Sequence, residues 1–308
     1  MSEVKKKLLI LLTILIEVLL LFYITAYIVY NMSFNYGCTT SEEWMFEVED
    51  FENLDRTRYE FRTRNDKKLV GYLYFDKVVT EKGLVVFAHG LGGGGQTGYM
   101  DIFDYLTSNG YYVFAYDATA NDESEGEVIG GLPQGIIDLD YAINFTKTIK
   151  EVKDLPLMLM GYSWGGLSVS NVINYHNEVK AVVAMSGWNE SLNLIEYYGC
   201  NMVGPFGKVL LPFASIHEHL KYGKYASSSA MKAFEKTNAK IMIVHSQDDG
   251  TVPIEYGYDT YYEKYSSDER FTFKHYESRG HNFIFRNEQK VLDHSLFDEI
   301  IALYNSCL

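Results

Sequence analysis

Cysteine is scarce in this 308-residue chain: Cys38, Cys200 and Cys307 are all there is, and no two form a C-x-x-C pair. That spacing argues against a metal or redox centre built on paired thiols. A Cys38–Cys200 disulfide is permitted if the domain lies outside the cytoplasm, but three buried or unpaired thiols are the expectation. Positive charge is short as well, with 27 Lys and Arg against 41 Asp and Glu and a net charge of −14. Such a surface does not neutralise phosphates, so nucleic acid is excluded as a partner. Internal repeats and low-complexity tracts are also missing. What is present is 47% hydrophobic content, enough for one large domain plus an appendage, and 26 tyrosines that suit a wet apolar groove.

No Lys or Arg appears between Tyr30 and Arg56, whereas Lys5, Lys6 and Lys7 stand together near the start. Behind those lysines, Leu8 to Tyr30 is an apolar run interrupted only by Glu17 and weakly acidic tyrosines. At about 1.5 Å per residue it makes roughly 34 Å of helix, enough to cross a hydrocarbon core of about 30 Å. Glu17 opposes insertion by about 3 kcal/mol near the centre, and the surrounding Leu and Ile residues each favour it by a few tenths, so the sum favours the membrane. The charge asymmetry sets the orientation. Residues 1–7 are expected as a basic cytoplasmic tip, 8–30 as an uncleaved single-pass signal anchor and 31–60 as a juxtamembrane segment, with the catalytic domain extracytoplasmic. A cleaved signal peptide is the competing reading, but its apolar region is shorter and ends in small residues, and Ala26-Tyr27-Ile28 offers no good site. A buried soluble helix is the third reading. Cys38 invites lipid attachment, yet Asn35-Tyr36-Gly37 is a poor context for it.

Beyond residue 60, apolar runs alternate with amphipathic segments. Strands are expected at Leu69–Phe75, Leu84–Ala88, Tyr111–Tyr116, Leu157–Met160, Ala181–Met185, Ile241–His245 and Phe271–Tyr276. Helices are expected at Tyr99–Ser108, Gln134–Lys150, Leu167–His176, Ile254–Tyr265 and Glu288–Tyr304. This alternation implies an α/β fold with a doubly wound, mostly parallel sheet over residues 61–308. Residues 187–240 break the rhythm, being far longer than a crossover of a dozen residues requires. An insertion at the C-terminal ends of parallel strands is where a substrate lid sits.

Four sequence features carry chemistry. The stretch from Leu84 to Gly98, LVVFAHGLGGGGQTG, has three readings. Gly90-x-Gly92-x-x-Gly95 with Asp117 fits a dinucleotide fingerprint, and a phosphate loop fails because Gln96 stands where lysine must be. The third reading is an oxyanion hole, in which bare backbone N–H groups face a developing alkoxide. Gly161-Tyr162-Ser163-Trp164-Gly165 follows a strand and precedes a helix, the context of a G-x-S-x-G nucleophile elbow. Ser163 needs a base, and His281 lies in a short loop after the last strand. An acid must orient that histidine, and Asp248-Asp249 supplies one at the end of the preceding strand. Ser, then Asp, then His is a chain order used by one α/β fold class. The dinucleotide reading leaves all three idle.

Taken together, His89-Gly90-Leu91-Gly92, the elbow, Asp249-x-x-Val252-Pro253 and Gly280-His281-Asn282-Phe283 resemble the α/β hydrolases, closest to the serine aminopeptidase-like and monoglyceride-lipase-like branch. The similarity runs from about Leu69 to the C-terminus. It implies an α/β-hydrolase fold with a short lid, catalysis by Ser163, His281 and Asp249 in preference to Asp248, and oxyanion donors on the backbone of Leu91 and Trp164. His89 and Gly90 would support the oxyanion loop, and Asp117 would order it. Ala118 to Gly126 departs from the Arg-Gly-x-Gly-x-Ser-like stretch common in such families, so that side of the pocket is not carried over. No metal or organic cofactor is implied. His217, Glu218 and His219 are expected as exposed lid residues without a metal, while His275 and His294 lack motif context. The substrate is expected to be a small carboxylic ester. A short peptide is the alternative, for which Glu190, Glu196 or Glu218 would have to bind a free amine, and a catalytically silent surface binding protein is a further one. Asn31, Asn144 and Asn189 begin N-x-Ser/Thr sequons that matter only in a glycosylating host.

Overall fold

Short continuous apolar runs can be buried on both faces only inside a sheet flanked by helices, and that is their arrangement here. The structure, a computed structural model, describes residues 2–282, 284–287 and 291–308. Eight strands form one sheet: β1 (Leu54–Arg62), β2 (Lys68–Asp76), β3 (Gly83–Ala88), β4 (Tyr111–Tyr116), β5 (Leu157–Tyr162), β6 (Ala181–Met185), β7 (Lys240–Ser246) and β8 (Phe271–Tyr276). Their order is β1-β2-β4-β3-β5-β6-β7-β8, antiparallel at β1–β2 and β2–β4 and parallel elsewhere. Alternate residues of β3 feed opposite layers. Leu84 and Val86 join the core beneath one set of helices, and Val85 and Phe87 join the other.

Strand β1 has no counterpart among the expected strands and begins inside the stretch assigned to the juxtamembrane segment. Its sequence, LDRTRYEFR, lies at the sheet edge with much of its length exposed, so it shows no apolar run. The other seven strands lie within two residues of their expected positions.

The helices are α1 (Glu3–Phe34), α2 (Met100–Ser108), α3 (Pro133–Thr146), α4 (Trp164–Val172), α5 (Ser191–Val203), α6 (Phe206–Tyr222), α7 (Ala230–Phe234), α8 (Tyr258–Tyr265) and α9 (His294–Asn305). Pro133 opens α3, as a proline in the first turn can. The expected helix from Glu288 begins outside the described residues, and α9 starts at His294 behind the Asp293 cap. The insertion between β6 and β7 folds as α5, α6 and α7. Within it, His217 and Glu218 correct the expectation of exposure: both are buried on the inner face of α6, and His219 alone is exposed.

Helix α1 is 32 residues long with a mean hydropathy of 2.7 over its most apolar window, long and apolar enough to cross a membrane. Its first half is exposed throughout its described residues, and its end is part of the domain. Ala26, Tyr30 and Phe34, spaced four apart on one face, are buried. The chain then returns to the sheet, where Cys38 N–H donates to Ala120 O at 2.9 Å and Thr40 N–H to Asp122 Oδ1 at 2.6 Å. All three cysteines are free.

Candidate active site

Strand β5 runs into a turn that only glycine permits on either side of Ser163. A Cβ at Gly165 would lie 1.9 Å from the Ala88 carbonyl oxygen, and one at Gly161 would lie 2.2 Å from the Gly165 oxygen. Ser163 itself sits at φ 55°, ψ −114°, outside the regions that side-chain-bearing residues favour. Its N–H donates to Met185 O at 2.8 Å, which ties the turn to β6. The side chain is thereby lifted to the head of α4.

Two loops, following β7 and β8 on the far side of β6, bring partners to it. His281, after β8, places Nε2 2.9 Å from Ser163 Oγ and Nδ1 2.8 Å from Asp249 Oδ2. Asp249, after β7, accepts the Thr251 and Val252 N–H groups on Oδ1 at 3.0 and 2.8 Å. Burial works against an ionised Asp249, but hydrogen bonds from His245 and His281 outweigh it and hold the carboxyl well below the ordinary range. The adjacent Asp248 is exposed and accepts from Ser246 Oγ at 2.6 Å and Gly280 N at 2.8 Å. It ties the histidine loop to β7 and does not face the imidazole.

His245 is a participant that sequence reasoning missed. Its Nε2 lies 3.2 Å from Asp249 Oδ2 and 3.0 Å from Val252 O, so Asp249 Oδ2 is shared by two imidazoles. No local signal marks it, because a histidine inside β7 reads as a strand residue until the turn after the strand brings it beside Asp249. Tyr162 is another, its hydroxyl donating to the His281 carbonyl at 3.1 Å. Phe283, part of the histidine motif, lies outside the described residues.

The glycine loop stands beside the serine. A Cβ on Gly90 would come within 3.5 Å of Ser163 Cβ. Among the described residues no protein acceptor takes the Leu91 N–H, and Trp164, as the first residue of α4, has no partner for its N–H within the helix. His89 Nδ1–H donates to Gly90 O at 2.7 Å, and its Nε2 accepts from Ala118 N at 2.9 Å. Both ring nitrogens are therefore committed in the neutral tautomer, and burial lowers the His89 pKa in agreement. Deeper in the loop, Gly95 is required by close approach: a Cβ there would sit 1.9 Å from Asp117 Oδ1. Asp117 accepts from Gln96 N at 2.9 Å, and burial pushes its carboxyl up to about 7. The Gly95 N–H reaches Thr40 Oγ1 at 3.0 Å, so the segment after α1 holds the loop from above.

Serine, histidine and glycine loop open into a cavity of about 700 Å³. Its walls are mainly aliphatic and aromatic, drawn from the lid (Leu194, Met202, Leu210) and from α1 itself (Ala26, Val29, Phe34). The three candidate amine-binding glutamates lie elsewhere. Glu190 caps α5, Glu196 is 3.5 Å from Lys208 Nζ, and Glu218 accepts from Tyr30 and Ser191 hydroxyls at 2.7 Å each. None of them lines the cavity. Among the described residues no group of His, Cys, Asp and Glu is arranged to hold a metal ion.

Residues 80–213 match a family described as serine aminopeptidase, S33. That stretch includes the glycine loop, the serine turn and half the lid, but not Asp249 or His281. No match was found among curated protein sequences. Solved structures are similar in fold. An esterase of Pyrococcus furiosus is 16% identical with a TM-score of 0.64, covering 85% of this chain and 94% of its own. An acylaminoacyl peptidase of Pyrococcus horikoshii is 14% identical at 0.63, covering 84% of this chain and 43% of its own. An α/β hydrolase from Penicillium is 15% identical at 0.55, covering 82% of this chain and 99% of its own. From the strand order to the turn that carries Ser163, the chain has the α/β-hydrolase fold.

Proposed function

We propose that the protein is a membrane-anchored serine hydrolase that cleaves a carboxylic ester. The observation that carries this reading is the hydrogen-bonded line Ser163–His281–Asp249 opening into an apolar cavity. In the reaction, Ser163 Oγ attacks the ester carbonyl carbon while its proton passes to His281 Nε2. Asp249 holds the imidazolium through Nδ1–H. The negative charge that develops on the carbonyl oxygen is met by the Leu91 and Trp164 N–H groups, each contributing about 3 to 4 kcal/mol in comparable sites. Collapse expels the alkoxide, which takes the proton from His281 and leaves as an alcohol. Water, deprotonated by His281, then attacks the acyl-serine, and collapse releases the acid and expels Ser163 Oγ, which takes the proton back from His281. This leaves the enzyme in its starting state.

An aminopeptidase would need a carboxylate facing the cavity to bind a free amine, and Glu190, Glu196 and Glu218 are each engaged elsewhere. That favours the ester. Residues 8–30 serve as the anchor, with the lysine tip cytoplasmic and the domain on the far side. Cleavage in the manner of a signal peptide after Ala26-Tyr27-Ile28 would remove Ala26, which is buried and lines the cavity, and would cut α1 just ahead of buried Tyr30 and Phe34, which speaks for retention.

The test is fluorophosphonate labelling of the full chain in mild detergent, beside Ser163→Ala, followed by acyl esters and aminoacyl amides as substrates. Covalent labelling lost in the variant, with turnover of the esters, is expected. Failure of the folded wild type to label would overturn the mechanism, and turnover of the amides alone would overturn the substrate assignment.

A further inference from the structure

Helix α6 is apolar on the side where a soluble lid should be polar. Its inner face is conventional: Leu210, Ala214, Glu218 and Tyr222, at helical spacing, are buried. The outer face carries Phe206, Val209, Phe213, Ile216 and Leu220, again at spacings of three and four. Val209, Ile216 and Leu220 are 47%, 49% and 74% exposed. The end of α5 extends the patch with Met202, 55% exposed, and Val203. Scattered exposed apolar residues are ordinary, but a continuous stripe joined to a second apolar element marks an interaction surface.

The second element identifies the partner. The Phe22 ring of α1 packs on Phe206 and on Phe213, with centroids 5.8 Å away in both cases. The lid hairpin and α1 therefore share one apolar surface. Its depth follows from the helix. A hydrocarbon core of about 30 Å takes about 20 residues at 1.5 Å each. Lys5, Lys6 and Lys7 hold the near boundary before Leu8, which puts the far boundary at about Tyr27. Phe22 then lies about 7 Å inside the hydrocarbon, and the side chains packed on it lie there too.

We infer that the tip of the α5–α6 lid is immersed in the leaflet on the domain's side of the membrane, and that the cavity takes its substrate from that leaflet as a membrane-resident acyl ester. The inference rests on the anchor and ester readings above. The cavity is placed for it. Ala26, Val29 and Ser33 of α1 and Met202 and Val203 of the lid all line it, so one wall reaches the boundary depth. An acyl chain entering between α1 and the lid exchanges lipid contacts for apolar side chains and crosses no water. The polar residues beside the stripe do not oppose immersion. Lys208 has the long stem that lets a charge reach the headgroups, and Glu218 is sealed inside.

The test uses the full chain in phosphatidylcholine vesicles. Val209→Trp, outside the cavity lining, is compared with wild type to subtract the native tryptophans, using lipids brominated along the acyl chain. Quenching of the added indole by chain-brominated lipid is expected, and its absence in a folded variant overturns immersion whether or not the protein is an esterase. In the second arm, the double variant Val209→Asp, Ile216→Asp is assayed on a long-chain ester dispersed in the vesicles and on a short water-soluble ester. A loss of about tenfold on the vesicle substrate with the soluble rate unchanged is expected. Equal loss on both would mean damage to the lid fold, and no loss on either would mean that the substrate does not come from the leaflet. Both overturn the inference. Inactivity of the wild type on every ester, with quenching intact, would instead refute the ester reading.

Discussion

Exchanging Asp249 for Asn tests the candidate site most directly, because the variant keeps the shape of the side chain and turns one acceptor atom into a donor. Oδ1 accepts from the N–H groups of Thr251 and Val252, so the amide must keep its carbonyl oxygen there. Its NH₂ group then replaces Oδ2, facing His281 Nδ1 at 2.8 Å and His245 Nε2 at 3.2 Å. A donor now meets two donors. His281 accommodates it by carrying its proton on Nε2, and an Nε2–H pointing at Ser163 Oγ cannot accept the serine proton. The same exchange in the Ser-His-Asp template costs about 10⁴ in kcat, which is about 5.5 kcal/mol of transition-state stabilisation, and a loss of that order is expected here. Asp248→Asn is the control. Its acceptors face Ser246 Oγ and Gly280 N at an exposed position, and an amide oxygen can still accept there, so a change under about threefold is expected. The assay is kcat on a chromogenic short-chain ester, with thermal melts showing that both variants are folded. If Asp248→Asn falls as far as Asp249→Asn, or Asp249→Asn keeps a tenth of the wild-type rate, the assignment of the acid is wrong.

Other perturbations have equally definite outcomes. Gly165→Ala drives a Cβ to 1.9 Å from the backbone oxygen of Ala88, so β3 must shift; a cost of about 3 kcal/mol and a fall of about 5 °C in Tm are expected by calorimetry. Burial raises the Glu218 carboxyl to about 7, against about 4.3 in an unfolded chain. The folded state then binds the extra proton between those values, so this contribution is full below about pH 4 and is lost as pH rises through 7, amounting to about 4 kcal/mol. Glu218→Gln should therefore flatten the denaturant-measured stability profile between pH 5 and 8 and gain most at the alkaline end; an unchanged slope would count against a buried neutral carboxyl. A chain beginning at residue 31 loses buried Ala26 and Tyr30 with one wall of the cavity, and is expected to melt lower than the full chain by an amount equivalent to about 2 to 3 kcal/mol.

The sheet was legible because burial on both faces leaves an unmistakable pattern: Leu84–Ala88 and Ala181–Met185 are continuous apolar runs with no other stable placement. Strand β1 was hidden by the converse, since an edge strand half in water carries Asp55, Arg56, Arg58 and Glu60 and reads as a charged linker. The positions of Ser163, Asp249 and His281 could be picked out because each chemistry leaves a local mark, a glycine-flanked serine or an acid or histidine at a strand end. His245 left none. It looks like a strand residue, and only the turn that follows β7 brings its Nε2 beside Asp249. The lid was visible as excess length and no more. His217 and Glu218 read as exposed because their own stretch is polar, while the partners that cover them, Tyr27, Tyr30 and Ser191, come from distant parts of the chain.

The division between anchor and domain was the least legible feature, for a physical reason. Hydropathy measures what a residue tolerates, and Ala26, Tyr30 and Phe34 are tolerated equally by lipid and by a protein core. A continuous apolar helix therefore shows no seam where its surroundings change. The seam is set by geometry: residues four apart turn one face of α1 toward α6, while Ile24 and Ile28 remain exposed on the other. Because the buried face also walls the cavity, the helix that would fix the protein in the bilayer fixes the orientation of the cavity mouth at the same time. A flexible tether would leave that orientation free. Here the hydrogen bonds from Cys38 to Ala120 and from Thr40 to Asp122, within eight residues of the helix end, carry the constraint to Gly95 in the loop beside Ser163. Helix α1, the cavity mouth and the glycine loop are thus positioned by one continuous stretch of chain, and under the proposed anchoring a substrate approaching along the bilayer would meet a serine already facing it.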